Sequence, residues 1–196
     1  MAALLVCGCT SGGGSASAAS TAASSPPAPR TSEGPAVGPT GSALDHLAPD
    51  LEALLPKAVD GTSLSRVSTT GAAIFAKFGG TDWSRQMTRF LRGTGKTPAD
   101  LRYAQAFDAS KKLALDAGAF EVHGVSAGSL ATAIVNSSKP DSPGLTTASE
   151  TVGGAKVTAE TDPASGSTLY LYPHDGVVFY VGGDQRLAAA FLTAVR

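Results

Sequence analysis

The stretch Thr168-Leu-Tyr-Leu-Tyr-Pro-His-Asp-Gly-Val-Val-Phe-Tyr-Val181 decides the fold. Two runs rich in aromatic and β-branched residues, Thr168 to Tyr172 and Val177 to Val181, flank Pro173-His174-Asp175-Gly176, residues that favour a turn. The segment reads as a β-hairpin. With a four-residue loop, Tyr172 stands opposite Val177 and Tyr170 opposite Phe179. Side chains alternate along a strand, so Tyr170, Tyr172, Val177 and Phe179 share one face, and Leu169, Leu171, Val178 and Tyr180 the other. Both faces are apolar, whereas antiparallel sheets commonly keep one face wet. The hairpin is therefore expected inside a sheet, with helices on one face and a second layer, a lipid or a partner on the other. Helices or a second sheet layer on both sides is the plainer version.

The flanking sequence supplies those helices and more strands. Leu47, Leu51, Leu54 and Leu55 recur at helical spacing, with Pro49 suited to a first turn and Pro56 closing the run. Residues 62–70 read as a strand. Trp83, Met87, Phe90 and Leu91 mark one face of a helix, with Asp82 as N-cap and Gly93 as stop. Arg85, Arg89 and Arg92 line its opposite face and read as a solvated surface that suits the C-terminal dipole. Strands follow at 101–108 and 117–124, a helix from Ser126 to Asn136, and strands at 145–152 and 155–161 around Gly153-Gly154. A last helix opens at Asp184 and turns Leu187, Phe191, Leu192 and Val195 inward. The expected class is α+β, a mainly antiparallel sheet with helices packed on it.

One motif points to catalysis. Gly124-Val-Ser126-Ala-Gly128 matches G-x-S-x-G, the turn that lifts a nucleophilic serine above a sheet, and it follows an expected strand and opens an expected helix. Asp162 and His174 come later in the order such a triad uses, giving Ser126 as nucleophile, His174 as base and Asp162 as its orienter. Turn chemistry explains the same residues without catalysis. Ser126 can cap the helix, the glycines can ease the corner, and His174 lies in a hairpin loop. Gly93-Thr-Gly95-Lys96-Thr97 shares the end of a phosphate-binding loop, but Phe90 stands where that pattern needs glycine and the segment follows a helix. A helix stop is the better reading.

Composition narrows the rest. The net charge is −1, which gives no electrostatic case for nucleic acid. Both cysteines lie in the first nine residues and the chain holds three histidines, so little material exists for a metal site. No metal and no cofactor is expected. From Thr10 to Ala43, all residues but Arg30, Glu33 and Val37 are Gly, Ser, Ala, Pro or Thr, a composition unable to offset the entropy of ordering. As a coil, this stretch spans roughly 30–35 Å root-mean-square.

Before it stands Met-Ala-Ala-Leu-Leu-Val-Cys-Gly-Cys. This resembles the lipobox of bacterial lipoproteins, an apolar run that ends in a small residue and the cysteine that receives lipid. Val6 matches the apolar position, Gly8 the small residue and Cys9 the acylated one; Cys7 fits poorly, since Val6 would then fill the small slot. The segment departs from an export signal in having no Lys or Arg before Cys9 and only Ala2 to Val6 continuously apolar. Residues 1–8 thus read as a truncated or atypical lipoprotein signal, 9–43 as a disordered tether and 44–196 as a single α+β domain; a floppy cytoplasmic tail is the other reading. The resemblance implies a membrane anchor through acylated Cys9 and a domain held outside the cytoplasm.

The leading functional expectation is a lipid-anchored cell-envelope protein with a non-enzymatic binding or interaction domain. An apolar ligand or envelope protein would meet the face of Tyr170, Tyr172 and Phe179. The alternatives are a small serine hydrolase acting through Ser126, and a structural envelope protein with a closed hairpin face and no cavity.

Overall fold

The computed structural model describes residues 46–77 and 79–195. Pro49 opens α1 (Pro49–Ala53), where its missing N–H costs nothing; Leu51 and Leu55 turn inward while Leu47 and Leu54 stay exposed. The strand expected over 62–70 is divided. A small ribbon, β1 (Ala58–Val59) with β2 (Thr62–Ser63), turns at Asp60 and Gly61, and β3 (Ser65–Thr70) follows. Next comes α2 (Gly71–Lys77), which the sequence pattern does not announce. A Cβ on Gly71 would lie 2.3 Å from the Pro98 carbonyl oxygen, so the corner needs glycine. The cap of α3 (Asp82–Gly93) is Thr81 rather than Asp82: the Thr81 hydroxyl accepts from the Ser84 N–H at 3.1 Å. Asp82, inside the first turn, pairs with Arg85 instead.

Strands β4 (Leu101–Phe107) and β5 (Asp116–Val122) lead into α4 (Ala127–Ser138). Then come β6 (Thr146–Val152), β7 (Ala155–Thr161), β8 (Thr168–His174), β9 (Val177–Gly182) and α5 (Gln185–Ala194). Asp184 caps α5, its carboxylate accepting from the Leu187 N–H at 2.8 Å. The class is α+β: a seven-stranded sheet, antiparallel throughout, in the order β3-β4-β5-β9-β8-β7-β6, with helices packed on it.

The β8–β9 turn is tighter than a four-residue loop. Asp175 and Gly176, at φ 46° and 83°, form a two-residue turn, so His174 pairs with Val177, Tyr172 with Phe179 and Tyr170 with Val181. The slip is two residues, an even number, and every side chain keeps the face assigned to it.

Helices cover both faces. On one side, α1 and α5 pack on Ala104, Ala106, Ala117 and Ala119 at the β4–β5 end and on Tyr170, Tyr172 and Phe179 at the β8–β9 end. Small residues near α1 and bulky ones near α5 share the available volume. On the other side, α3 and α4 place Met87, Leu91, Leu130 and Ile134 over Leu101, Val122, Leu171, Val178 and Tyr180, with Phe75 of α2 at the margin. Among the described residues, no helix is long and apolar enough to cross a membrane.

The sheet has two outer strands with different surroundings. Along β3, His46 makes a parallel bridge to Ser68 and the Ala48 N–H donates to the Ser68 hydroxyl at 2.7 Å. Along β6, Thr146 to Thr151 are all exposed, and among the described residues nothing pairs with the outer side.

Candidate functional site

Tyr170, Tyr172 and Phe179 lie inside the core, 6 %, 8 % and 3 % exposed, in one cluster with Leu187, Phe191 and Leu192 of α5. They form no open face for a ligand or partner, because the apolar side of α5 occupies it. Two apolar faces marked a central hairpin, and one chain supplies both covers.

Ser126 stands where a strand-to-helix turn places it, after Gly124 at φ 78°. Its hydroxyl accepts from the Ser129 N–H at 3.2 Å and donates to the Ser129 hydroxyl at 2.8 Å, the work of an N-cap. His174 follows Tyr172 onto the α5 side of the sheet, stacked on that ring with centroids 5.2 Å apart, and its Nε2 lies 3.2 Å from Asp175. Ser126 opens α4 on the opposite side. Asp162 sits beyond the other end of β8 from His174, about 20 Å away along the strand. There it accepts from the Ala164 N–H at 3.0 Å and the Ser165 hydroxyl at 2.9 Å, bonds that hold its carboxyl below the usual range. The three residues do not converge.

The loop Gly93–Thr97 comes to rest against that same turn, with Lys96 Nζ 3.6 Å from where a Cβ on Gly124 would lie. Local bonds account for its shape. The Lys96 N–H donates to the Leu91 carbonyl at 2.7 Å, and Thr97 exchanges bonds with Asp100 in a capping box.

A serine, a histidine and a carboxylate do meet elsewhere. The Ser68 hydroxyl donates to Glu52 Oε1 at 2.5 Å, and His46 Nδ1 lies 2.8 Å from Glu52 Oε2. Sequence reasoning missed this set because its members are separated by loops and carry no motif. The order is wrong for catalysis, with the carboxylate between serine and imidazole rather than behind the imidazole. Ser68 is 2 % exposed, so no substrate reaches it. The cluster is a clasp that holds residues 46–52 on the edge of β3.

A second buried network was also illegible. The Tyr103 and Tyr180 hydroxyls are 2.6 Å apart, Tyr180 donates to Asp116 at 3.4 Å and Gln105 donates to the same oxygen at 3.2 Å. Desolvation raises both phenols and the Asp116 carboxyl. Gly118 makes room: a Cβ there would sit 2.7 Å from the Tyr180 ring. The cross-strand pairing of Gly118 with Tyr180, which only the folded register reveals, sets the two side by side. The network satisfies hydroxyls buried by the sheet's aromatic packing.

Two surface grooves stand out among the described residues. One, about 400 Å³, runs beside Asp108 and Lys112. Its carboxylate is already saturated by the Ser110, Lys112 and Leu113 N–H groups at 2.7, 2.6 and 2.9 Å and by the Ser110 hydroxyl at 2.5 Å. That set, the hydroxyl foremost, lowers Asp108 to about 2. The other, about 280 Å³, lies on α3 between Ser84, Arg85, Thr88, Arg89 and Arg92. Among the described residues, no group of three His, Cys, Asp or Glu side chains gathers to hold a metal.

Cys9 and the whole of the lipobox-like segment lie outside the described residues. Comparison of the chain with protein-family models, with curated proteins and with solved structures finds no match.

Proposed function

We propose that this chain is a lipid-anchored protein of the bacterial cell envelope, moored through acylated Cys9, whose folded part is a non-enzymatic interaction module. The observation that supports an interaction role is the outer edge of β6. Gly153 and Gly154, both at positive φ, close a two-residue turn that makes Val152 and Ala155 a hydrogen-bonded pair. Alternation then turns the backbone N–H and C=O groups of Thr147, Ser149 and Thr151 away from β7. Proteins usually blunt such an edge with Lys, Pro or a bulge; here Glu150 is the only charge from Thr146 to Val152. An extended segment of another envelope protein would add as a further strand.

The hydrolase reading loses its support with the separation of Ser126, His174 and Asp162. The closed aromatic face favours a second reading, a structural envelope protein that holds no partner. The two part at β6. A photo-crosslinking residue at Thr151 should give one discrete adduct in intact cells, and adding Ser149→Pro, which removes an outward N–H, should abolish it. A structural protein gives no adduct. On the native product, mass spectrometry should find acyl chains on Cys9, and a fluorophosphonate probe should leave Ser126 unlabelled. An unmodified soluble product overturns the anchor, and labelling lost in Ser126→Ala overturns the non-enzymatic reading.

A further inference from the structure

We propose that the arginine face of α3 binds the phosphate headgroups of an anionic lipid surface, an inference that rests on the anchored reading above for its setting. Arg85, Arg89 and Arg92 fall within about 60° of one another around the helix and within about 10 Å along it. The opposite face, with Met87 and Leu91, is buried. The groove between the guanidinium groups is shallow and open. Its hydroxyls are turned back to the helix, Thr88 donating to the Ser84 carbonyl at 2.7 Å and Ser84 to the Thr81 carbonyl at 3.0 Å. The donors left for a ligand are those of the arginines.

Three features separate this face from an ordinary solvated one. First, α3 has no acidic residue after Asp82, so Arg85–Arg89 and Arg89–Arg92 are like-charge neighbours that work against the helix. Second, Arg85 is held by Asp82 and the Gly80 carbonyl, while Arg89 and Arg92 have no acidic partner among the described residues. Third, the chain as a whole carries −1, so the concentration of cations here is local. Guanidinium forks match phosphate oxygens with paired hydrogen bonds. A soluble anion would be enclosed by its site, whereas an open strip of cations fits a plane of headgroups.

The test is flotation of the purified full chain, carrying Cys9→Ser so that no acyl chain contributes, with phosphatidylcholine vesicles in which about a third of the lipid is phosphatidylglycerol. Binding is expected on these vesicles, and not on pure phosphatidylcholine or at about 0.5 M salt. The double variant Arg89→Gln, Arg92→Gln should lower partitioning about 30-fold. Lys112→Gln with Arg186→Gln, the same loss of charge elsewhere, should leave it within about twofold. A charge-keeping pair, Arg89→Lys with Arg92→Lys, should fall between and serves if the Gln pair melts early. No flotation, or equal loss in both neutralised pairs, overturns the proposal. So does calorimetric binding of inorganic phosphate on the same arginines without flotation, which would make the ligand a soluble anion. Acylated native protein with no flotation leaves the anchor standing and this inference dead; flotation with no acylation does the reverse.

Discussion

The two outer strands of the sheet pose the same chemical problem and meet it differently. At β3, the chain before α1 folds back, and Ser68, Glu52 and His46 hold it there by bonds of 2.5 and 2.8 Å. At β6, the backbone groups of Thr147, Ser149 and Thr151 face outward, and almost every side chain is exposed. One edge spends buried polar groups on closure and the other spends none. That asymmetry assigns stability to the first and availability to the second.

The largest expected effect is at the closed edge. Ser68→Val leaves the Ala48 N–H without its partner and strips Glu52 Oε1 of the shorter of its two bonds, with His46 Nδ1 still 3.0 Å away, and should cost about 3 kcal/mol, read as a lower urea midpoint with unchanged slope. A change below about 0.5 kcal/mol would mean the clasp is ornamental.

The next lies one strand in from the open edge. Glu160 on β7 is 3 % exposed, with Oε1 unpartnered, and burial raises it from 4.5 to about 7, Lys139 drawing it partly back. The folded state thus holds a proton that the unfolded chain gives up. The contribution of Glu160 to stability should be greatest below pH 4.5 and decline until about pH 7. The loss is at most about 3 kcal/mol, and Glu160→Gln should leave only the decline that the raised Asp116 carboxyl contributes. Asp108 acts with the opposite sign and lower on the scale: its contribution is present above the ordinary carboxylate value of 3.8 and is lost as pH falls through about 2. Urea titrations at pH 5 and pH 8 separate the two, and a Glu160→Gln protein with the wild-type pH profile would refute the assignment.

The smallest effect sharpens the comparison most. Ser149→Pro removes an outward N–H and should change stability by less than about 0.5 kcal/mol, since proline is tolerated on the solvent side of an edge. Ala148→Pro, which removes a bond to β7, should destabilise severely. Similar melting of both variants would mean the outward side of β6 was assigned wrongly.

Most of this scaffold was legible because it depends on local periodicity. Apolar alternation placed the hairpin at the centre, and parity kept each side chain on its face through a misjudged turn length. The cap of α3 was one residue off because Thr81 and Asp82 are both competent caps. Helix α2 escaped notice because Gly-Ala-Ala-Ile-Phe-Ala-Lys is too short to show a period. The sites were harder to read. A G-x-S-x-G pattern describes a turn, and nothing in it fixes what approaches from residues 162 and 174. The clasp and the Tyr103–Tyr180 pair join residues up to 77 positions apart, where only the folded register reveals the neighbour.

The pairing of β5 with β9 sets the order in which the molecule can assemble. Strands β3 to β5 and β6 to β9 are each runs of neighbours in sequence, yet the seam between them joins Asp116 to Gly182. Until the last strand exists, the first three have an unfilled inner margin, and such distant closure is slow. A nascent chain emerging from the ribosome would therefore lack the partner of β5 until residues 177–182 have been made.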